Sequence, residues 1–82
     1  MQAVFVQLKC NLGKAYEVAS GLVEDVAETS EVYSTSGEYD LLAKFYLEEG
    51  VDIGRFVTES IQTIPGVSGT FTLITFNAFT KA

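Results

Sequence analysis

The sequence predicts an α+β fold in the order strand, helix, strand, strand, helix, strand, and three observations predict it. Apolar residues recur at every second position over residues 3–10, 41–48 and 67–80, which is the period of a strand. They recur at intervals of three and four over residues 14–29 and 50–66, the period of an amphipathic helix. No linker, repeat or low-complexity stretch divides the 82 residues, so a single domain spanning 1–82 is expected.

"AVFVQLKC" opens the chain with Val4, Val6 and Leu8 on one side and Phe5 and Gln7 on the other, the alternation of a first strand. From Lys14 the apolar positions become Ala15, Val18, Ala19, Leu22, Val23 and Val26, with Glu17, Glu24, Asp25 and Glu28 outside them. That pattern predicts a helix fading near Thr29, started by Asn11 in the "NLGK" turn, because a short polar side chain competes well for free helix N–H groups. "SEVYSTSG" alternates weakly, "EYD" turns, and "LLAKFYLE" sets Leu41, Ala43, Phe45 and Leu47 against Leu42, Lys44 and Tyr46. Strands two and three are therefore expected as a hairpin.

The second helix is expected through Ile53, Phe56, Val57, Ile61 and Ile64, capped by Asp52 and stopped by Pro65 and Gly66. A glycine inside a helix costs about 1 kcal/mol relative to alanine, so close approach of another backbone is the expected reason for Gly54. "VSGTFTLITFNAFT" is the longest strand candidate, and neither of its faces is polar. Arranged as a split double unit, these elements give a four-stranded antiparallel sheet with both helices on one face, the ferredoxin-like βαββαβ plait.

Two helices cover only one side of such a sheet, yet strands one, three and four are apolar on both. A domain of this size buries only about 60–65% of the surface its unfolded chain exposes. A second copy of the chain is the simplest cover for the remaining face, and two identical sheets packed together make a symmetric dimer. At about 25 cal/mol per Å², an interface of about 500 Å² a side would outweigh the expected stability of the lone domain.

Eleven acidic against five basic residues give a net charge of −6, which opposes direct contact with nucleic-acid phosphates. No apolar run approaches the roughly 18–20 residues that span a bilayer. "MQAVFVQLK" shows neither a basic leader nor a cleavage pattern, and the expected location is the cytoplasm without membrane attachment. The single cysteine, Cys10, excludes an internal disulfide and an all-cysteine metal site. Its place at a strand end fits a small packing residue better than an activated thiol, although Lys9 lies beside it.

Histidine and tryptophan are absent, as are the glycine, serine and histidine motifs of common enzymes and nucleotide-binding loops. "EDVAE" reads as a solvated helix face rather than a hard-cation cage, so neither a metal nor another cofactor is expected. Tyr16, Tyr33, Tyr39 and Tyr46 suit core and interface positions with the hydroxyl in water. One stretch stands apart. "STSGEYDLL" sets Glu38 and Asp40 directly against an apolar strand. It reads either as a tight hairpin with Gly37 at its bend and solvated acids, or as a loop that holds a ligand.

"SGEYDLLAKFYLEE", followed after a helix by "IPGVSGTFTLITF", resembles the ligand-binding half of the leucine-responsive regulator/AsnC (Lrp/AsnC) family, the RAM domain. The chain looks like the stand-alone members of that family, over residues 3–79. The resemblance implies a domain that dimerises through its sheets, with dimers assembling into octamers or decamers. It further implies that an amino acid or related small metabolite binds between dimers, against the hairpin turn and the last strand. Carried onto this chain, the binding residues are Ser34, Ser36, Gly37, Glu38, Tyr39 and Asp40 on the turn, with Leu73, Ile74 and Thr75 on the final strand.

Asp40 is the first choice to accept a hydrogen bond from a ligand ammonium, while N–H groups near Gly37 meet a ligand carboxylate. Ser34 and Thr75 make the pocket more polar than a branched-chain side chain needs. No helix-turn-helix region precedes Met1, so DNA contact is expected to be lost or made by a full-length regulator that co-assembles with this chain. The competing expectation is a small dimeric plait enzyme, of oxygenase or isomerase type, working in the cleft between sheet and helices. A third is a structural oligomer with an empty groove.

Overall fold

The computed structural model describes residues 1–81. Its elements are β1 (Gln2–Cys10), α1 (Ala15–Asp25), β2 (Thr29–Ser34), β3 (Leu41–Leu47), α2 (Ile53–Phe56) running on into a π-helical segment (Val57–Ile61), and β4 (Val67–Ile74). The strands form one sheet in the order β2-β3-β1-β4, and every pairing is antiparallel. This is the ferredoxin-like plait that the alternating periods predict.

One sheet face is sealed by the helices. Val4, Val6 and Leu8 of β1 and Leu41, Ala43 and Phe45 of β3 have no exposure, and Val18, Leu22, Phe56, Val57 and Ile61 pack over them from the helical layer. Phe45 meets Phe56 edge to face at 5.3 Å, an arrangement that aromatic quadrupoles favour.

Helix α1 departs from expectation at both ends. Asn11 contributes its backbone rather than its side chain: its carbonyl accepts the Lys14 N–H at 3.0 Å, and the N-cap residue, Lys14, makes no side-chain cap. At the other end the backbone is already extended at Val26, and the Leu22 carbonyl accepts both the Val26 N–H at 3.3 Å and the Thr29 hydroxyl at 2.8 Å. Thr29 then starts β2 instead of ending the helix. Val23, read as part of the apolar stripe, is exposed; it falls just beyond the arc that Val18 and Leu22 turn toward the sheet.

Asp52 caps α2 as expected, with Oδ1 accepting the Arg55 N–H at 3.0 Å. Gly66 has a φ of +99°, and a Cβ there would stand 3.0 Å from Val18 Cγ2 and 3.1 Å from Lys14 Cβ. Only glycine lets this turn lie against α1. Gly54 is different, since the single atom near its missing Cβ is Asp52 Oδ1 at 3.6 Å. The expected close backbone approach does not occur there.

β4 stops at Ile74, well short of residue 80, because it runs out of partner. Ile74 lies opposite Val4, and β1 begins only two residues earlier, at Gln2. Beyond that point side-chain bonds replace the ladder: Thr75 Oγ1 donates to the Ala3 carbonyl at 2.6 Å, and Gln2 Nε2 donates to the Thr75 carbonyl at 3.3 Å. Phe76 and Phe79 follow at 95% and 94% exposure.

The other sheet face has no cover among the described residues. The registers align Tyr33, Leu42, Gln7 and Phe71 in one row across the strands, and Glu31, Lys44, Phe5 and Leu73 in the next. Tyr33, Tyr46, Phe71 and Leu73 on this face are all exposed large apolar or aromatic side chains.

The two glycines should respond oppositely to alanine in denaturant unfolding. Gly54→Ala is expected to raise stability by up to about 1 kcal/mol, whereas Gly66→Ala should lower it by about 1–3 kcal/mol through backbone strain and overlap with α1.

Candidate functional site

The turn between β2 and β3 is closed from inside. The Asp40 carbonyl accepts the Thr35 N–H at 2.9 Å, and the Thr35 hydroxyl donates to the Tyr39 carbonyl at 3.0 Å. Gly37 bends it with a φ of +107° and open space where a side chain would stand, and Ser36, Gly37 and Glu38 face outward.

β1 anchors the same turn. Asp40 donates its N–H to the Leu8 carbonyl at 2.9 Å, and its Oδ2 accepts the Cys10 N–H at 2.8 Å. Lys9 Nζ donates to the Glu38 carbonyl at 2.8 Å. The β1–β4 register shifts between Lys9 and Cys10, and a bulge of this kind disturbs the ladder locally. The Asp40 carboxylate supplies an acceptor at that bulge, which explains why an acid sits directly before Leu41 and Leu42. Cys10 and Lys9 are partners the sequence did not reveal, because they depend on the strand register.

Tyr39 reaches across to β4, its ring 6.2 Å from that of Phe71 and tilted by 36°. The turn therefore sits at the end of the sheet where β1 finishes and β4 begins. Leu73, Ile74 and Thr75 lie at the opposite end, with Leu73 beside Phe5 and Ile74 beside Val4. The stretch of β1 from Leu8 to Val4, about 13 Å at strand rise, separates the two groups. Ser34, Ser36, Gly37, Glu38, Tyr39 and Asp40 are brought together; Leu73, Ile74 and Thr75 do not join them within one chain.

Each group borders its own concavity. Asp40 and Cys10 help to line one of about 300 Å³, whose other wall is Asn11, Leu12, Gly13, Ala15 and Tyr16. Leu12 and Tyr16 are largely in solvent, so Tyr16 is not the core residue that tyrosine chemistry suggested. Thr75 borders a larger hollow of about 620 Å³ between the start of β1, Lys44, Tyr46 and the segment after β4.

Burial, and next to it the Asp40 charge, push the Cys10 thiol above its usual range. Lys9, next to it on β1, alternates to the other sheet face, where its ammonium donates to the Glu38 carbonyl. Cys10 is thus a protonated packing residue. On the open face the Tyr33 hydroxyl donates to Glu31, which raises the phenol's pKa. Among the described residues no cluster of three or more His, Cys, Asp or Glu is placed to hold a metal ion. No helix among them is long and apolar enough to cross a membrane.

The model of the Lrp/AsnC ligand binding domain family matches residues 3–81. The chain belongs to the Lrp/AsnC family. The HTH-type transcriptional regulator FL11 of Pyrococcus abyssi is 41% identical over 70 residues, covering 85% of this chain and 45% of FL11. The crystal structure of FFRP-DM1 superposes with a TM-score of 0.84 at 33% identity, covering 93% of this chain and all of the other. Escherichia coli AsnC superposes with a TM-score of 0.80 at 26% identity, covering 98% of this chain and 54% of AsnC. This Lrp/AsnC chain thus spans about half the length of FL11 and of AsnC.

Thiol labelling tests the Asp40–Cys10 contact. At pH 8 Cys10 should react more slowly with a disulfide reagent than free cysteine does. Asp40→Asn, which removes the charge and keeps an acceptor oxygen, should shift the labelling profile to lower pH.

Proposed function

We propose that this chain is a non-enzymatic effector-binding module of the Lrp/AsnC type, taking an amino acid or related small metabolite at a site completed between subunits. The family match and the regulator relatives support a regulatory role. The observation that carries the binding site is the anchored turn, whose exposed backbone at Ser36, Gly37 and Glu38 is held still by bonds from Leu8, Lys9 and Cys10. Ordering such a loop before the ligand arrives lowers the entropy cost of binding.

In this reading N–H groups near Gly37 receive the ligand carboxylate. Asp40 keeps Oδ2 on Cys10 and offers Oδ1 to the ligand ammonium, since a carboxylate has acceptor positions to spare. Tyr39 and Ser34 flank the charged end. Leu73, Ile74 and Thr75 come from a neighbouring subunit and shape the side-chain end, which accounts for their distance from the turn within one chain. The subunits pair through their open sheets and the pairs assemble further, to an octamer or decamer, in the cytoplasm. A full-length Lrp/AsnC regulator that co-assembles through its matching domain supplies the DNA contact. A ligand that binds one assembly better than another shifts the population toward it.

The enzyme reading finds less support. It needs a cleft between sheet and helices, and that layer is filled by Val4, Val6, Leu8, Leu22 and Phe45 without exposure. The same fold in NMB0573 of Neisseria meningitidis, 16% identical, was crystallised as an L-Met complex. At that identity the likeness is one of fold, and it nominates L-methionine as the first compound to try and nothing more.

A thermal-shift screen against the twenty amino acids should find at least one that raises the melting temperature by mass action. Absence of any shift at millimolar concentrations would contradict the amino-acid reading. With a hit in hand, Asp40→Ala should weaken calorimetric affinity tenfold or more, as expected for loss of a charge-assisted hydrogen bond worth ~1.5–3 kcal/mol; unchanged affinity removes Asp40 from the contact set.

A further inference from the structure

β2 is an outer strand of the sheet, so alternate N–H and C=O groups along it point away from β3 toward no other strand. Beside that edge α1 leaves a shallow crevice of about 270 Å³ lined by Ala19, Ser20, Val23, Glu24 and Val32. Val18 and Leu22 of α1 enter the core, and Ala19 and Val23, one residue further on in each turn, border the crevice. Val32 packs partly against the core, while Val23 is 62% exposed. An apolar crevice along an unpaired strand edge suits an extended segment that joins as an added strand. Main-chain bonds then supply affinity and every second side chain fills the crevice.

Charge decides what the occupant is. Side chains alternate across a strand, and Val32 lies opposite the buried Ala43 on the helix side, whereas Glu31 and Tyr33 lie opposite Lys44 and Leu42 on the other. An added strand would therefore present one set of side chains to Val32, Ala19 and Val23, and the other set to Glu31 and Tyr33. The first set is served by apolar residues. The second meets a carboxylate that keeps 46% of its exposure although Lys44 stands 4.0 Å away, and Glu24 at the crevice adds the same sign. A second copy of β2 would set these acids against themselves, which is destabilising, and the net charge of −6 opposes it further. The other outer strand differs. β4 carries no charge from Val67 to Ile74, and Gln62 already reaches it, with Nε2 donating to Thr70 Oγ1 at 2.8 Å.

We propose that the β2 edge and the α1 crevice accept an extended segment of a partner protein, its residues alternating apolar and basic, as a further strand of the sheet. The inference rests neither on the ligand reading nor on the pairing of open faces.

The probe is a capped synthetic peptide alternating valine and lysine, with binding to the full chain followed by fluorescence anisotropy and by amide NMR shifts. It should bind below millimolar concentration, with the largest shifts at Val23, Glu31 and Val32. A version with glutamate in place of lysine should bind at least tenfold more weakly. Two further versions, N-methylated at the valines or at the lysines, keep the charge and each remove one set of main-chain donors, so at least one should also lose tenfold. Val23→Lys should weaken the parent peptide at least tenfold, with circular dichroism checking the fold. If that variant does not fold, Val23→Ser serves instead with the same expectation. Parent affinity in both N-methylated versions would mean attraction by charge alone and overturns strand addition. Equal binding of the glutamate version overturns the charge selection. Largest shifts on β4, wild-type affinity in the Val23 variant, or no binding at millimolar peptide overturns the site.

Discussion

Two short helices can cover one face of a four-stranded sheet and no more, and the rest of the molecule follows from that limit. Every plait with only two helices faces the same constraint, but here the uncovered face is not made polar to meet it. Phe5, Leu42, Phe71 and Leu73 remain beside Tyr33 and Tyr46, an arrangement that apolar hydration disfavours in an isolated domain. Assembly and ligand binding then become one problem. The anchored turn and the last residues of β4 sit at opposite ends of the sheet, so a pocket made from both needs more than one subunit. In the proposed reading, a metabolite held there reads the assembly directly.

The turn's anchoring would give the proposed coupling a mechanical basis. Asp40 and Glu38 are tied to β1 at its bulge, and Tyr39 touches Phe71 on β4. In the proposed reading, a shift of the turn would be felt at the central strand and at the open face. Well-packed elements move between discrete arrangements rather than deform smoothly. The acid beside the Leu-Leu strand therefore serves the fold through one oxygen, and in the proposed reading the other meets the ligand.

The alternating and three-to-four periods made the element order and the helix-facing core legible in the sequence, because both depend on spacing along the chain. Val4, Val6, Leu8, Leu41, Ala43, Phe45, Ile61 and the Asp52 cap all fall where spacing put them. What depends on register did not show. The early end of β4 reflects where β1 begins, and the Thr29 hydroxyl on the Leu22 carbonyl depends on how the chain leaves α1. The Asp40 partner is a backbone N–H on a strand thirty residues away in sequence. Turn residues from Ser34 to Asp40 were legible as a unit, whereas their separation from Leu73, Ile74 and Thr75 appears only once the strand pairing is known. Val23 and Gly54 were misread for a simpler reason: an apolar residue near a stripe, or a glycine in a helix, carries no mark of whether anything packs against it.

The central claim is that the bare sheet face is covered by another copy of the chain. Sedimentation equilibrium on the wild-type protein, run over a range of micromolar concentrations, tests it most directly. The account predicts masses that are even multiples of the single chain throughout. A folded species with the mass of one chain across that range would contradict it.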